Sequence, residues 1–79
     1  MKVSILYFAR LKSERGLSFE ERETDCTNAG DLYAYLAREH NLQTPSSHIK
    51  TAINDAFCDP ETNLNEGDTV AFMPPMAGG

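Results

Sequence analysis

Cysteine is scarce in this chain, and so are the residue sets on which small enzymes depend. The two cysteines, Cys26 and Cys58, could close at most one bridge, whereas small secreted domains that rely on disulfides carry several. A reduced, cytoplasmic protein is the expectation. Cations are few as well: seven Lys and Arg stand against twelve Asp and Glu, a formal net charge of −5. Phosphate backbones are bound by clustered cations that release counterions. The cations here are scattered, so nucleic acid is not an expected partner. An acidic chain suits the basic patch of another protein better. No apolar run approaches the roughly 20 residues needed to cross a bilayer. The opening MKVSILYFAR runs straight into Arg10, Lys12 and Glu14 and does not resemble a secretory signal. No membrane partner is expected.

Catalytic signatures are missing too: no Cys-x-x-Cys, no His-Glu-x-x-His, no phosphate-binding loop and no Gly-x-Ser-x-Gly. His40 and His48 stand eight positions apart with no cysteine at metal-ligand spacing, so no metal is assigned to them. A self-contained enzyme with a resident cofactor is therefore not expected. At 79 residues there is room for one small core, because a chain of this size buries only about 60% of its unfolded surface.

Hydrophobic periodicity supplies the elements. Lys2 to Ala9 reads as a strand with Val3, Ile5 and Tyr7 on one face and Leu6 and Phe8 on the other. Apolar residues on both faces predict a central, doubly covered strand. Arg10 to Arg15 is a short helix closed by Gly16, and Leu17 to Thr24 an edge strand guarded by its charge. The run Glu20-Glu21-Arg22-Glu23 reads as a solvated face. Asn28 is placed to cap a helix whose buried stripe is Ala29, Leu32, Tyr33 and Leu36, ending near His40-Asn41. Gln43 to His48 is a loop. Ile49 to Asn54 and Ala56 to Cys58 form a hairpin about Asn54-Asp55, residues that tolerate positive φ.

Asn65-Glu66-Gly67-Asp68 then turns into a last strand, Thr69 to Met73. It too is apolar on both sides, so either loops lie beneath it or a partner protein covers its second face. The fold class is α+β, one sheet curled over one main helix.

The chain closes as TVAFMPPMAGG, and each part of that ending has a physical use. Pro74 and Pro75 fix φ at two consecutive positions and favour an extended stalk. Ala77, Gly78 and Gly79 add almost no bulk and can thread a narrow channel, where glycine accepts whatever φ the channel imposes. Residues 1–73 are thus the expected domain and 74–79 an extended tail. The terminal carboxylate is ionised at neutral pH, with a reference pKa of about 3.3–3.7, and must be activated before it reacts. Adenylation with ATP would do this, and a sulfur donor could then leave a thiocarboxylate. A frayed end is the bland alternative.

Leu64 through Asp68, with the strand exit Val70-Ala71-Phe72-Met73-Pro74-Pro75 and the final Gly78-Gly79, resembles the end of the MoaD family, small subunits of molybdopterin synthase. Ile5-Leu6-Tyr7-Phe8-Ala9-Arg10 is similar to that family's first strand, and Ala52-Ile53-Asn54 to its hairpin. The resemblance implies a β-grasp, ubiquitin-like roll, with a mixed sheet packed on one main helix. It implies that Gly79 is adenylated by an activating enzyme of the MoeB type, which uses the ATP, and is converted to a thiocarboxylate by a sulfur donor protein. Gly79 would then insert into a large subunit of the MoaE type. Sulfur would pass there to cyclic pyranopterin monophosphate to build the molybdopterin dithiolene. The chain would be the non-catalytic, sulfur-donating subunit of a heterotetramer.

Family interface positions fall on Phe8, Phe57 and Met73, with the tail residues Pro74, Pro75, Met76, Ala77 and Gly78 beyond. Met73 and Met76 stand where the family often has a phenylalanine and a smaller aliphatic residue. Two rivals share the chemistry, a thiamine-type sulfur carrier and a ubiquitin-like modifier that forms isopeptide bonds.

Overall fold

The computed structural model describes residues 1–75. Along them the chain forms β1 (Lys2–Tyr7), α1 (Arg10–Arg15), β2 (Phe19–Glu23), α2 (Ala29–His40), a 3-10 turn at Ser46–His48, β3 (Lys50–Ile53), β4 (Ala56–Cys58) and β5 (Thr69–Met73). The five strands make one sheet in the order β2-β1-β5-β3-β4. Only β1 and β5 pair in parallel; the other three pairings are antiparallel. This is the α+β arrangement of one sheet over one main helix, with the mixed strand pairing that the family resemblance implies.

Local chemistry accounts for the element ends. The Asn28 side chain accepts a hydrogen bond of 2.8 Å from the Asp31 amide at the start of α2, satisfying an amide that the helix leaves without a partner. Asn41 ends the helix in the left-handed conformation at φ 56°. Gly16 ends α1 in the same way at φ 85°, where the missing Cβ removes the steric penalty. Asn54 and Asp55 take φ values of 51° and 72° between β3 and β4, the left-handed pair that a two-residue hairpin turn requires.

The core lies between α2 and one face of the sheet. Val3, Ile5 and Tyr7 of β1 and Val70 and Phe72 of β5 meet Leu32, Tyr33 and Leu36 of the helix, all but sealed from solvent. Tyr33 meets Phe72 edge-on with ring centroids 5.2 Å apart. Each such side chain contributes roughly 1.5–3 kcal/mol of transfer free energy, and the helix stripe expected from the spacing is the one that is buried.

The structure corrects the expectation that β1 is covered on both faces. It is flanked by strands on both sides, but α1, α2 and the segment carrying Leu64 all send their buried residues to the same core. Leu6 is only half-buried and Phe8 remains 45% exposed. One helix of 12 residues can cover one face of a five-stranded sheet, and the described chain has no second helix of that length.

The acidic run is corrected as well. Register places Glu20 opposite Ile5 and Arg22 opposite Val3, so these two side chains turn to the helix side. Glu21 and Glu23 alone keep the solvated face.

Candidate functional site

Strand register builds the site from the side chains left on the uncovered face. Leu6 pairs with Phe19 on one side and Ala71 on the other, Ala71 pairs with Ala52, and Ala52 with Phe57. Residues paired across a sheet point to the same face. An apolar row, Phe19-Leu6-Ala71-Ala52-Phe57, therefore crosses all five strands. Phe57 is 73% exposed and Phe19 50%. A neighbouring row contains Phe8, Met73 and Lys50, the last two paired directly. Between Phe19 and Phe57, Leu6 and Ala71 are half-buried and Ala52 is buried, so the exposed aromatic rings at the two ends make the five-strand row a candidate interaction surface.

The tail leaves from the end of the central strand, at the border of this face. β5 is the central strand, bonded to β1 in parallel and to β3 antiparallel, and its last residue, Met73, is half-buried in the second apolar row. Pro74 is also half-buried and Pro75 is exposed. Neither proline has an N–H to offer a ladder, so strand pairing stops at Met73 and the chain departs from an anchored root. The expected site residues Met76, Ala77, Gly78 and Gly79 lie outside the described residues.

The fold brings the three expected interface residues together on this one face, with Phe8 and Met73 beside the tail root and Phe57 on the outer strand. A model described as the ThiS family matches residues 5–79 of the chain. The chain belongs to the ThiS family.

A relative of this ThiS-family chain in Chlamydomonas reinhardtii, named as a molybdopterin synthase sulfur carrier subunit, is 32% identical over 83 aligned positions, covering 100% of both chains. Among solved structures, the fold matches SAMP1 from Haloferax volcanii with a TM-score of 0.81 at 22% identity, covering 100% of both chains. It also matches a chain in the complex of subunits 1 and 2 of molybdopterin-converting factor from Helicobacter pylori, with a TM-score of 0.69 at 24% identity and 100% coverage of both. The architecture is the ubiquitin-like β-grasp of these neighbours.

Sequence reasoning put Leu6 and Ala71 on the second faces of their strands, and passed over Phe19 and Ala52 as members of the same face. Their signal was present: Leu6 stands out of phase with Val3, Ile5 and Tyr7, and Phe19 with Glu20 and Arg22. It becomes a surface only once the register aligns the five strands.

Beneath the sheet, this ThiS-family chain carries a polar knot that composition did not announce. Tyr7 donates its hydroxyl to Glu20 Oε2 at 2.5 Å, and Arg15 grips the same carboxylate through Nε at 3.2 Å and Nη2 at 3.0 Å. Burial is the strongest single influence on the Glu20 carboxyl and opposes its charge. The bonds from Tyr7 and Arg15, with the nearby Arg15 and Arg22 charges, outweigh it and hold Glu20 below the usual carboxylate range. Burial first, then the Glu20 bond, pushes the Tyr7 hydroxyl well above its ordinary value. The knot ties α1 to β1 and β2 and faces away from the open surface, so it is structural.

No group of three or more His, Cys, Asp or Glu among the described residues is placed to hold a metal ion. His40 stays at the C-terminus of α2, with Nε2 3.0 Å from Glu39. Both cysteines are unbridged and half-buried. No helix is long and apolar enough to cross a membrane among the described residues. The described residues thus offer an apolar face on the sheet with the root of the tail at the end of its central strand.

Proposed function

We propose that this chain is the sulfur carrier subunit of a molybdopterin synthase, with Gly79 as the residue that bears sulfur. The observation that carries the reading is a combination found in one chain. It is related along its full length to a carrier of that name, it leaves an apolar face open, and its tail begins at the central strand of that face.

The carboxylate of Gly79 is activated elsewhere. An adenylating enzyme of the MoeB type joins it to the AMP moiety of ATP, releasing pyrophosphate, and sulfur from a donor protein displaces AMP to leave the thiocarboxylate. The large subunit, of the MoaE type, then covers the open face through Phe8, Phe57 and Met73. It draws Pro74, Pro75, Met76, Ala77 and Gly78 along a channel to its own catalytic side chains. Sulfur passes to cyclic pyranopterin monophosphate and the carboxylate is regenerated for another round. ATP belongs to the activating enzyme, and this chain binds no cofactor in the cycle. The two unbridged cysteines suit a cytoplasmic setting.

The test has two parts. Intact-mass measurement on protein from its native host should reveal a fraction in which one terminal oxygen is replaced by sulfur. Deleting Gly79 should leave the fold intact and abolish molybdopterin formation with native large subunit and precursor. Full synthesis by the truncated chain would sink the proposal, and conjugates linked through lysine as the sole product would assign the tail to protein modification.

A further inference from the structure

Lys50 is out of place among its neighbours. It occupies an outward position on β3, paired with Met73 at the root of the tail, and its ammonium sits over the Phe57 ring, 5.9 Å from the centroid. Together with Phe8, the five apolar side chains of the main row and Met73, it makes up the part of the face that borders the tail exit. It is the one charged member of that set. Among the described residues no carboxylate lies within ion-pair distance of it.

We infer that Lys50 is a specificity-determining residue of the docking face, and that the large subunit sets an Asp or Glu carboxylate against it when the face is covered. The inference rests on the proposed docking of that subunit and names the chemistry of one contact within it. A partner that seals Phe57 and Met73 from water must also cover the lysine between them. Burying an ammonium without a counter-charge is costly, whereas a facing carboxylate converts the same position into a charge-assisted contact.

The Phe57 ring already favours an ammonium over its face, so the charge is positioned before the partner arrives. The chain is acidic as a whole, at −5, and its long-range field favours a basic partner. A carboxylate at Lys50 is therefore a local requirement that general charge attraction cannot satisfy, and an unsuitable surface would leave the ammonium stranded. Discrimination by an unpaired charge is an established route to partner choice.

Titration calorimetry of the full chain against its large subunit tests this, with circular dichroism verifying the fold of each variant. Lys50→Glu is expected to weaken binding on the order of a hundredfold at low salt, because two carboxylates then face one another. The deficit should shrink as salt is raised. Lys50→Met should lose about tenfold and Lys50→Arg less than about threefold, since the second variant keeps the charge. Ala71→Arg, at the centre of the face, is the control for docking itself.

If Ala71→Arg abolishes binding while Lys50→Glu and Lys50→Met bind as the native chain does, the role of Lys50 is overturned and the docking reading stands. If Ala71→Arg also binds normally, the partner does not use this face and both fall.

Discussion

Asn54 donates from Nδ2 to Asp68 Oδ1 at 2.9 Å, joining the β3–β4 hairpin to the turn that launches the central strand. The same Asn54 accepts from the Thr69 amide at 3.0 Å and donates its own amide to the Thr69 carbonyl at 2.8 Å. Asp68, all but buried, uses its second oxygen to accept from the Asn65 amide at 2.8 Å. Two short sequence features fourteen residues apart are thus one device. It sets where β5 begins against β3, and through an unbroken register it sets where β5 ends, at Met73 beside Lys50.

Asp68→Ala should cost about 1–3 kcal/mol in urea unfolding, because it removes the hydrogen bonds that Asn54 Nδ2 and the Asn65 amide donate to its carboxylate. Asn54→Gly keeps the positive φ and loses only the side-chain bonds. A double-mutant cycle should show coupling of at least about 0.5 kcal/mol; strictly additive effects would mean that the two turns are held independently.

Glu20 gives the fold a dependence on acid. Its carboxyl titrates lower in the folded chain than its ordinary value of 4.5, so the unfolded chain binds the proton more readily. The stabilisation is complete above that ordinary value and is lost as pH falls through the lower folded one. Glu20→Gln should therefore be less stable than the native chain near neutral pH, by about 1–3 kcal/mol. The gap should close on descent from about pH 5 towards pH 2. Parallel stability curves for the two proteins over that range would refute the assignment.

Ala71 stands at the centre of the apolar row, where its methyl group allows a partner to approach the sheet closely. Ala71→Arg should leave the thermal midpoint within a few degrees, since the side chain points to solvent. It should weaken association with the large subunit by about 2 kcal/mol or more, the range of central interface positions. Glu61→Arg, on an exposed loop, should change binding by less than about 0.5 kcal/mol. Equal effects from the two variants would show that bulk charge, and not the face, governs association.

Gly30 sits in the first turn of α2 with its amide donating to the Pro60 carbonyl at 2.8 Å. A Cβ there would meet Pro60 Cβ at 3.0 Å and its carbonyl oxygen at 3.2 Å. Alanine ordinarily gains up to about 1 kcal/mol over glycine inside a helix. Crowding against a proline ring costs about 1–3 kcal/mol and should win. Gly30→Ala is expected to lower the thermal midpoint, and a raised midpoint would show that the 59–62 loop yields.

Much of this molecule was legible without coordinates, for local reasons. The α2 stripe of Ala29, Leu32, Tyr33 and Leu36 follows from the helical period, its Asn28 cap from one side-chain oxygen three residues before an amide, and the Asn54-Asp55 turn from residues that accept positive φ. All are decided within a few neighbouring positions.

Tertiary structure alone decided the relationships that depend on register between distant strands. It turned Glu20 inward to Tyr7 and Arg15, paired Asn54 with Asp68, and left β1 open on one face where alternation alone predicted cover. It also aligned Phe19, Leu6, Ala71, Ala52 and Phe57 into one row and set Lys50 beside Met73. Alternation states that a strand has two faces, but which face the helix takes is settled by where the whole chain can bury the most apolar surface. A chain with one long helix can cover only one of them, and the face it leaves open carries Met73, the last residue of the central strand before the tail.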